Sequence, residues 1–267
     1  MITSVNNDRV KKVLTYVEKS KARREDKVFV IEGMKMLREA PVLQVREVYV
    51  TEKFLDKATE EDKEILWRYG AEPVSEEVMK KMADTQTPQG VLAVISQYEY
   101  TMEEVLEGYN QENEGAAPLI LILENIQDPG NLGTMLRSGE GAGVTGVILS
   151  KGSADIYNPK VIRSTMGSIF RMPFIYVDNL PEVIKELSGN GIKTYAAHLK
   201  GTKSYDEFDY KEPTAFLIGN EGNGLTKETA DAADIYVLIP MKGEVESMNA
   251  ATSSAILTFE ASRQRRG

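Results

Sequence analysis

From Pro118 onward the chain repeats one pattern, a short and almost uninterrupted apolar run followed by a stretch with helical spacing. The runs are PLILILEN (118 to 125), TGVILS (145 to 150), PFIYV (173 to 177), KTYAAHL (193 to 199), TAFLIGN (214 to 220) and IYVLIP (235 to 240). Between them the spacing predicts helices around 131–142, 158–168, 181–188 and 226–233, with a last helix from 247. Strands that are apolar on both sides must be covered on both faces, which predicts an α/β domain built on a parallel sheet. Ligands of such sheets sit beyond the carboxyl ends of the strands. The loops after Asn125, Asn220 and Pro240 are therefore the ones to read for chemistry.

Upstream the pattern is looser. KVFVIEG reads as a strand ending at Gly33, followed by a helix at 34–40, a strand at 45–51 (VREVYVT), helices at 60–70 and 75–84, and a strand at 90–96 (GVLAVIS). This is a small α/β sandwich, and Trp67 in EILWRYG is expected to pack on its core. From Glu99 to Glu114 there are six glutamates and no Lys or Arg, followed by GAAP. Three parts follow: a first domain over 1–98, an acidic linker over 99–116, and a second domain over 117–267.

Composition narrows the chemistry. With no Cys among 267 residues, disulfides, thiolate metal sites and a Cys nucleophile are excluded. The single His, His198, cannot build a multi-His metal site, and its place at the end of a strand, outside the three loops, reads as structural. No metal is expected. MITSVNNDRVKK has no apolar signal core and no run approaches ~18 apolar residues, so the expectation is a soluble cytoplasmic protein. The net charge of -9 is unevenly spread. Residues 1–27 hold eight basic side chains, among them Arg9, Lys11, Lys12, Arg23 and Arg24, against four acidic ones. A polyanion would meet that basic segment rather than the average.

In ENIQDPGNLGTMLRSGEGAG (124 to 143), Asp128-Pro129-Gly130 makes a turn, Asn131 is expected to cap the next helix, and Arg137 lies six residues further along it. In LIGNEGNGL (217 to 225), three glycines let a ligand approach the backbone and Glu221 supplies an acceptor. That run is not G-x-G-x-x-G and follows a late strand, which opposes a dinucleotide-binding oxidoreductase. In IPMKGEVESMNAATSSA (239 to 255), Ser247 and Asn249 stand at the start of the last helix, ahead of a run of Ala, Thr and Ser that permits close packing.

Together the three loops resemble the signature motifs of the SpoU family, knotted RNA ribose 2'-O-methyltransferases that use S-adenosylmethionine. The resemblance covers about 118 to 266, with Met248 where Leu is usual and Ala250 where Val is common. FVIEGMKMLREA and TQTPQGVLAVI further resemble the family's accessory RNA-binding domain, which has the fold of ribosomal protein L30e. The resemblance implies a C-terminal trefoil knot, a homodimer formed through it, and catalytic roles for Asn131, Arg137, Glu221, Ser247 and Asn249. It implies a cofactor held by Leu217, Ile218, Gly219, Asn220, Glu221, Ile239, Pro240, Met241, Ser247, Met248 and Asn249. RNA would be held by Arg9, Lys11, Lys12, Arg23, Arg24 and Arg137, with ribosomal RNA, most of all 23S, favoured over transfer RNA. A binding protein of the same fold without turnover is the other reading. Arg137 is the family's proposed proton acceptor; because a guanidinium stays protonated in proteins, positioning of RNA and polarisation of the hydroxyl is the physically easier role.

Overall fold

The computed structural model describes residues 1–108, 117–245 and 247–266. They form two compact units, one of Met1–Tyr98 with Asp155–Phe170 and one of Glu99–Ala154 with Arg171–Gly267.

In the first unit β1 (Val28–Glu32), β2 (Val45–Thr51), β3 (Glu72–Val74) and β4 (Val91–Ser96) make a sheet in the order β1-β4-β2-β3. Strand β4 is antiparallel to both neighbours, while β3 runs parallel to β2. The helices are α1 (Asp8–Glu18), α2 (Ser20–Asp26), α3 (Met34–Glu39), α4 (Glu52–Leu55), α5 (Glu60–Arg68) and α6 (Glu76–Met82). Asn7 caps α1 by accepting from the Arg9 amide, and the helix turns Val10, Val13 and Tyr16 inward to pack with Val78, Met79 and Met82 of α6.

Two expectations fail here. Trp67 is 68% exposed; α5 instead buries Leu66 and Asp62, four residues apart on one face, and Trp67 lies about 100° round the helix from Leu66. The Asp62 carboxylate is accommodated by Arg38 Nε at 3.0 Å and the Thr59 hydroxyl at 2.9 Å. Arg23 is 2% exposed. It donates to Asp155 at 2.6 and 3.3 Å, to the Tyr16 carbonyl at 2.7 Å and to the Val17 carbonyl at 3.2 Å. A buried, four-fold occupied guanidinium is not available to an RNA phosphate, because exposing it would strand Asp155 and two carbonyls.

The second unit is a seven-stranded sheet in which every pairing is parallel, in the order β7-β6-β5-β10-β8-β11-β9. Its strands are β5 (Leu119–Leu123), β6 (Gly146–Ser150), β7 (Phe174–Val177), β8 (Lys193–Ala197), β9 (Lys203–Ser204), β10 (Thr214–Ile218) and β11 (Ile235–Leu238). Its helices are α7 (Met102–Glu107), α8 (Pro129–Ala142), α10 (Leu180–Gly189), α11 (Lys227–Ala232) and α12 (Ala250–Arg265), while α9 (Pro159–Thr165) belongs to the first unit.

Both faces of the sheet are covered, as the apolar runs require. Ile120 and Ile122 pack with Val105 of α7, Ile184 and Leu187 of α10 and Ala230 of α11. On the opposite face Leu121 lies against Gly139 of α8. All five side chains of β5 are fully buried, each worth about 1.5–3 kcal/mol relative to exposure. Within the acidic run, Thr101 and Glu104 form a capping box that starts α7, and its Val105 is buried; residues 109–116 lie outside the described residues. A side chain at Gly146 would collide with the Val105 backbone, so this glycine lets α7 sit directly on β6. The last helix starts at Ala250 rather than 247, because the Asn249 side chain accepts from the Ala251 and Thr252 amides and so fixes the first turn. No helix among the described residues is long and apolar enough to cross a membrane.

Candidate functional site

The parallel sheet brings the carboxyl ends of β5, β10 and β11 to one edge, and the loops that follow them meet there. The first begins α8. Asp128, not Asn131, is the cap: its carboxylate accepts from the Asn131 amide at 2.8 Å, with Pro129 at the first helical position. Asn131 lies within the first turn, which frees its side chain for the other loops.

That side chain joins all three. Asn131 Nδ2 donates to Glu221 Oε1 at 3.0 Å, and Asn131 Oδ1 accepts from Asn249 Nδ2 at 2.9 Å. Glu221 also accepts from the Asp128 amide at 3.1 Å and the Gln127 amide at 3.2 Å, with a longer contact to Asn220 Nδ2 at 3.5 Å. Burial pushes the Glu221 carboxyl up, but the donors from Asn131 and the neighbouring amides outweigh it and hold the group below its ordinary value. Glu221 is therefore a fixed anion that organises donors and a poor proton acceptor.

The glycine-rich loop is a closed turn. Asn220 and Gly224 exchange backbone hydrogen bonds at 3.1 and 2.9 Å, and the Asn220 side chain accepts from the Gly222 and Asn223 amides. A Cβ on Gly219 would lie 2.1 Å from backbone atoms of Gly224 and Leu225, so only glycine fits where the loop folds back. Sequence reasoning gave Glu124 no role, yet its buried carboxylate accepts from the Thr226 amide at 2.7 Å and hydroxyl at 2.8 Å and from the Thr229 hydroxyl at 2.5 Å. It thereby pins the start of α11 and the end of the loop. The acid before the Asn-x-x-Asp turn was visible in the sequence; its partners, a hundred residues on, were not.

Of the expected cofactor residues, Ile218, Gly219, Asn220, Glu221, Ile239, Met241, Ser247 and Met248 line one cavity of about 370 Å³. This lies at the lower end of the range for small-molecule sites, about 300–1,000 Å³. Leu217 is instead fully buried within the sheet, and Pro240 is exposed outside the cavity lining. Asn249 borders an adjoining open recess with Asp128, Asn131 and Glu221. The cavity combines apolar walls from Ile218, Leu225, Ile239 and Met248 with backbone groups of two loops, a fit for an adenine-bearing ligand. His198, read as structural from its position, also lines it.

Arg137 is exposed on α8 and has no hydrogen-bond or ion-pair partner among the described residues. Arg9, Lys11, Lys12 and Arg24 are exposed in the first unit. Arg9 pairs with Glu72 at 3.1 Å and Glu47 at 3.4 Å, and Lys12 with Asp26 at 3.3 Å. Lys11 stands 3.8 Å from Asp8. Arg23 is withdrawn from this set by its burial. Among the described residues no cluster of three or more His, Cys, Asp or Glu is placed to hold a metal ion.

The sequence model of the SpoU rRNA methylase family matches residues 118–259, and that of the MRM3-like substrate binding domain matches 7–93. The chain is 32% identical over 264 residues to the 23S rRNA guanosine 2'-O-methyltransferase RlmP of Bacillus subtilis, covering 97% of each. An AdoMet-bound rRNA methyltransferase from Sinorhizobium meliloti superposes with a TM-score of 0.82 at 27% identity, covering 98% of this chain and 97% of that one. The SpoU methyltransferase AviRb from Streptomyces viridochromogenes, in complex with AdoMet, gives 0.84 at 25% identity over 98% and 99%.

Proposed function

The chain belongs to the SpoU rRNA methylase family, and from that premise we propose that it methylates a ribose 2'-oxygen of 23S ribosomal RNA in the cytoplasm, as a homodimer. The observation that carries the reading is the continuous hydrogen-bond chain Glu221–Asn131–Asn249, which joins one residue from each of three loops at the mouth of the cavity. Full-length similarity to RlmP supports 23S RNA over transfer RNA.

S-adenosylmethionine, when bound, supplies an electrophilic methyl group on a sulfonium. Ile218, Gly219, Ile239, Met241 and Met248 would hold its adenosine half through apolar contact and backbone groups, while Ser247 borders the same cavity. The chain's own work is alignment. Glu221 fixes Asn131, Asn131 fixes Asn249, and Asn249 caps α12, so the three loops keep one geometry around the reacting atoms. Well-oriented intramolecular models gain up to ~7–11 kcal/mol from such alignment. Arg137, free and on the same helix as Asn131, would hold an RNA phosphate and polarise the ribose hydroxyl. The hydroxyl proton displaced on methylation would pass to phosphate or water rather than to Glu221, which is saturated with donors.

The exposed basic residues Arg9, Lys11, Lys12 and Arg24 support an RNA-holding role for residues 1–98, which pack with Asp155–Phe170 in the first unit, while the rest of 117–267 carries the reaction. For the dimer, α12 leaves Phe259 44% exposed beside Gly141 of α8, an apolar side chain on the surface of the helix. The trefoil knot is part of the same reading and is supported by α12 packing on both α8 and β10. Tritium transfer from labelled S-adenosylmethionine tests the function. Label should enter 23S transcripts, with the methylated ribose mapped by its resistance to alkaline cleavage. Label confined to transfer RNA would overturn the substrate, and no transfer to any RNA would leave a binding protein.

A further inference from the structure

The sheet order β10-β8-β11 sets the end of β8 between the two strands whose loops carry Glu221 and Ser247, and all three strands are parallel. The residue that follows β8 is therefore central to the cavity although it lies in none of the three loops. That residue is His198.

Its ring is held on two sides. It stacks on Tyr236 of β11 with centroids 4.7 Å apart and planes 24° from parallel. Tyr236 is itself anchored through its hydroxyl to Asp231, which pairs with Lys227 at 2.5 Å. His198 Nδ1 accepts from the Lys200 amide at 3.0 Å, so in the neutral ring the proton sits on Nε2. Nε2 has no partner among the described residues, and His198 lines the cavity between Ala197 and Leu199. A pre-oriented ring with one unused N–H at the wall of a cavity that mixes apolar and polar lining is a ready donor to a polar atom of a ligand.

The geometry points to His198 as a cofactor-binding residue, its Nε2–H donating to an acceptor on the adenosine half of S-adenosylmethionine, with Tyr236 as the brace that fixes the ring. Ile218, Ile239 and Met248 line the same cavity and offer apolar surface suited to the adenosine half rather than to the charged amino-acid half. This rests on the methyltransferase reading and extends it to a residue outside the three motifs.

Calorimetric titration of the full chain with S-adenosylmethionine, and separately with 5'-methylthioadenosine, which lacks the amino acid carboxylate, tests it. His198→Phe keeps the stack but removes the Nε2 donor together with the Nδ1 acceptor of the Lys200 amide, and should raise Kd about tenfold for both compounds, the cost of one unmade hydrogen bond to the ligand. His198→Gln restores an N–H near the Nε2 position and should recover part of that loss. Wild-type affinity in His198→Phe, or weakening confined to S-adenosylmethionine, would overturn the assignment. Circular dichroism and melting of each variant separate misfolding from lost contact, and unchanged folding with unchanged Kd counts against it. If the wild-type chain binds neither compound, the methyltransferase reading fails as well; if it binds both and only the variant series is flat, this inference alone fails.

Discussion

Replacing Glu221 by Gln preserves its volume and removes one charge. Every close partner of the carboxylate is a donor: Asn131 Nδ2 and the Asp128 amide on Oε1, the Gln127 amide and Asn220 Nδ2 on Oε2. A Gln amide must turn its own NH2 toward one of these pairs. On either side a loop donor loses its acceptor and faces another donor. Hydrogen bonds to charged groups contribute about 1.5–3 kcal/mol each, and the exposure of this loop argues for the lower value. Two weakened bonds then cost about 3 kcal/mol at most, and about 1.5 kcal/mol after allowance for solvent. At about 1.4 kcal/mol per factor of ten, kcat/KM should fall about ten- to hundredfold. Steady-state transfer of labelled methyl to a 23S transcript reads it, with Glu221→Asp as the charge-preserving control. The stability difference between wild type and E221Q has a defined pH dependence. The folded carboxyl lies below its ordinary value of 4.5, so its stabilisation is complete above that value and lost as pH falls through the lower folded one. Denaturant midpoints should differ by a constant amount from about pH 8 to 6 and converge below about 4.5. Activity of E221Q within threefold of wild type, estimated as less than about 0.7 kcal/mol, would refute the view that this carboxylate orders the loops.

Arg137→Lys keeps a positive charge but not a planar fork, and single-turnover methylation should drop by about 10²-fold if the guanidinium must hold phosphate and hydroxyl together; near-normal turnover would show that charge alone suffices. RNA affinity should fall log-linearly with salt, and Arg24→Ala should weaken binding across sequences and reduce the slope by about one; filter binding from 50 to 300 mM salt, about the usual range, checks both, and a flat line removes the basic surface. Phe259→Lys places a charge on the exposed apolar face of α12 and should shift sedimentation toward a monomer with loss of methylation; an unchanged, active dimer would move the interface elsewhere.

Much of the second unit could be read from the chain because its strands are apolar on both faces and its helices follow at helical spacing. The order of those strands could not. Motif loops follow β5, β10 and β11, and nothing local reveals that β8 lies between the last two, which is why His198 read as peripheral. Asn131 has the chemistry of a cap, but Asp128 is better placed by Pro129 to take that role, and the choice depends on a three-residue shift of the helix start. Strands β3 and β9 are too short to carry a period. In the first unit the side-chain types misled twice. The guanidinium of Arg23 is buried by a carboxylate that lies 132 residues away, and Trp67 yields the inner face of α5 to Leu66. Both outcomes turn on tertiary partners that spacing along one helix does not encode.

The grouping of Asp155–Phe170 with Met1–Tyr98 bears on how the first unit could be exchanged between relatives. A fragment ending at Tyr98 would keep Arg23 but discard the Asp155 carboxylate, and keep Phe29 but discard the Tyr157 ring stacked 4.8 Å from it. It would also strand Asp84, whose carboxylate meets Arg163 at 2.6 Å. The Asp84–Arg163 pair is exposed and contributes little, but leaving the buried Arg23 unpaired costs about 3–5 kcal/mol, a large share of the stability of a domain this size. The first unit is therefore not a cassette with one seam. Transplanting it between enzymes requires two stretches of chain to travel together, one of them cut from the middle of the region that carries the methyltransferase signature.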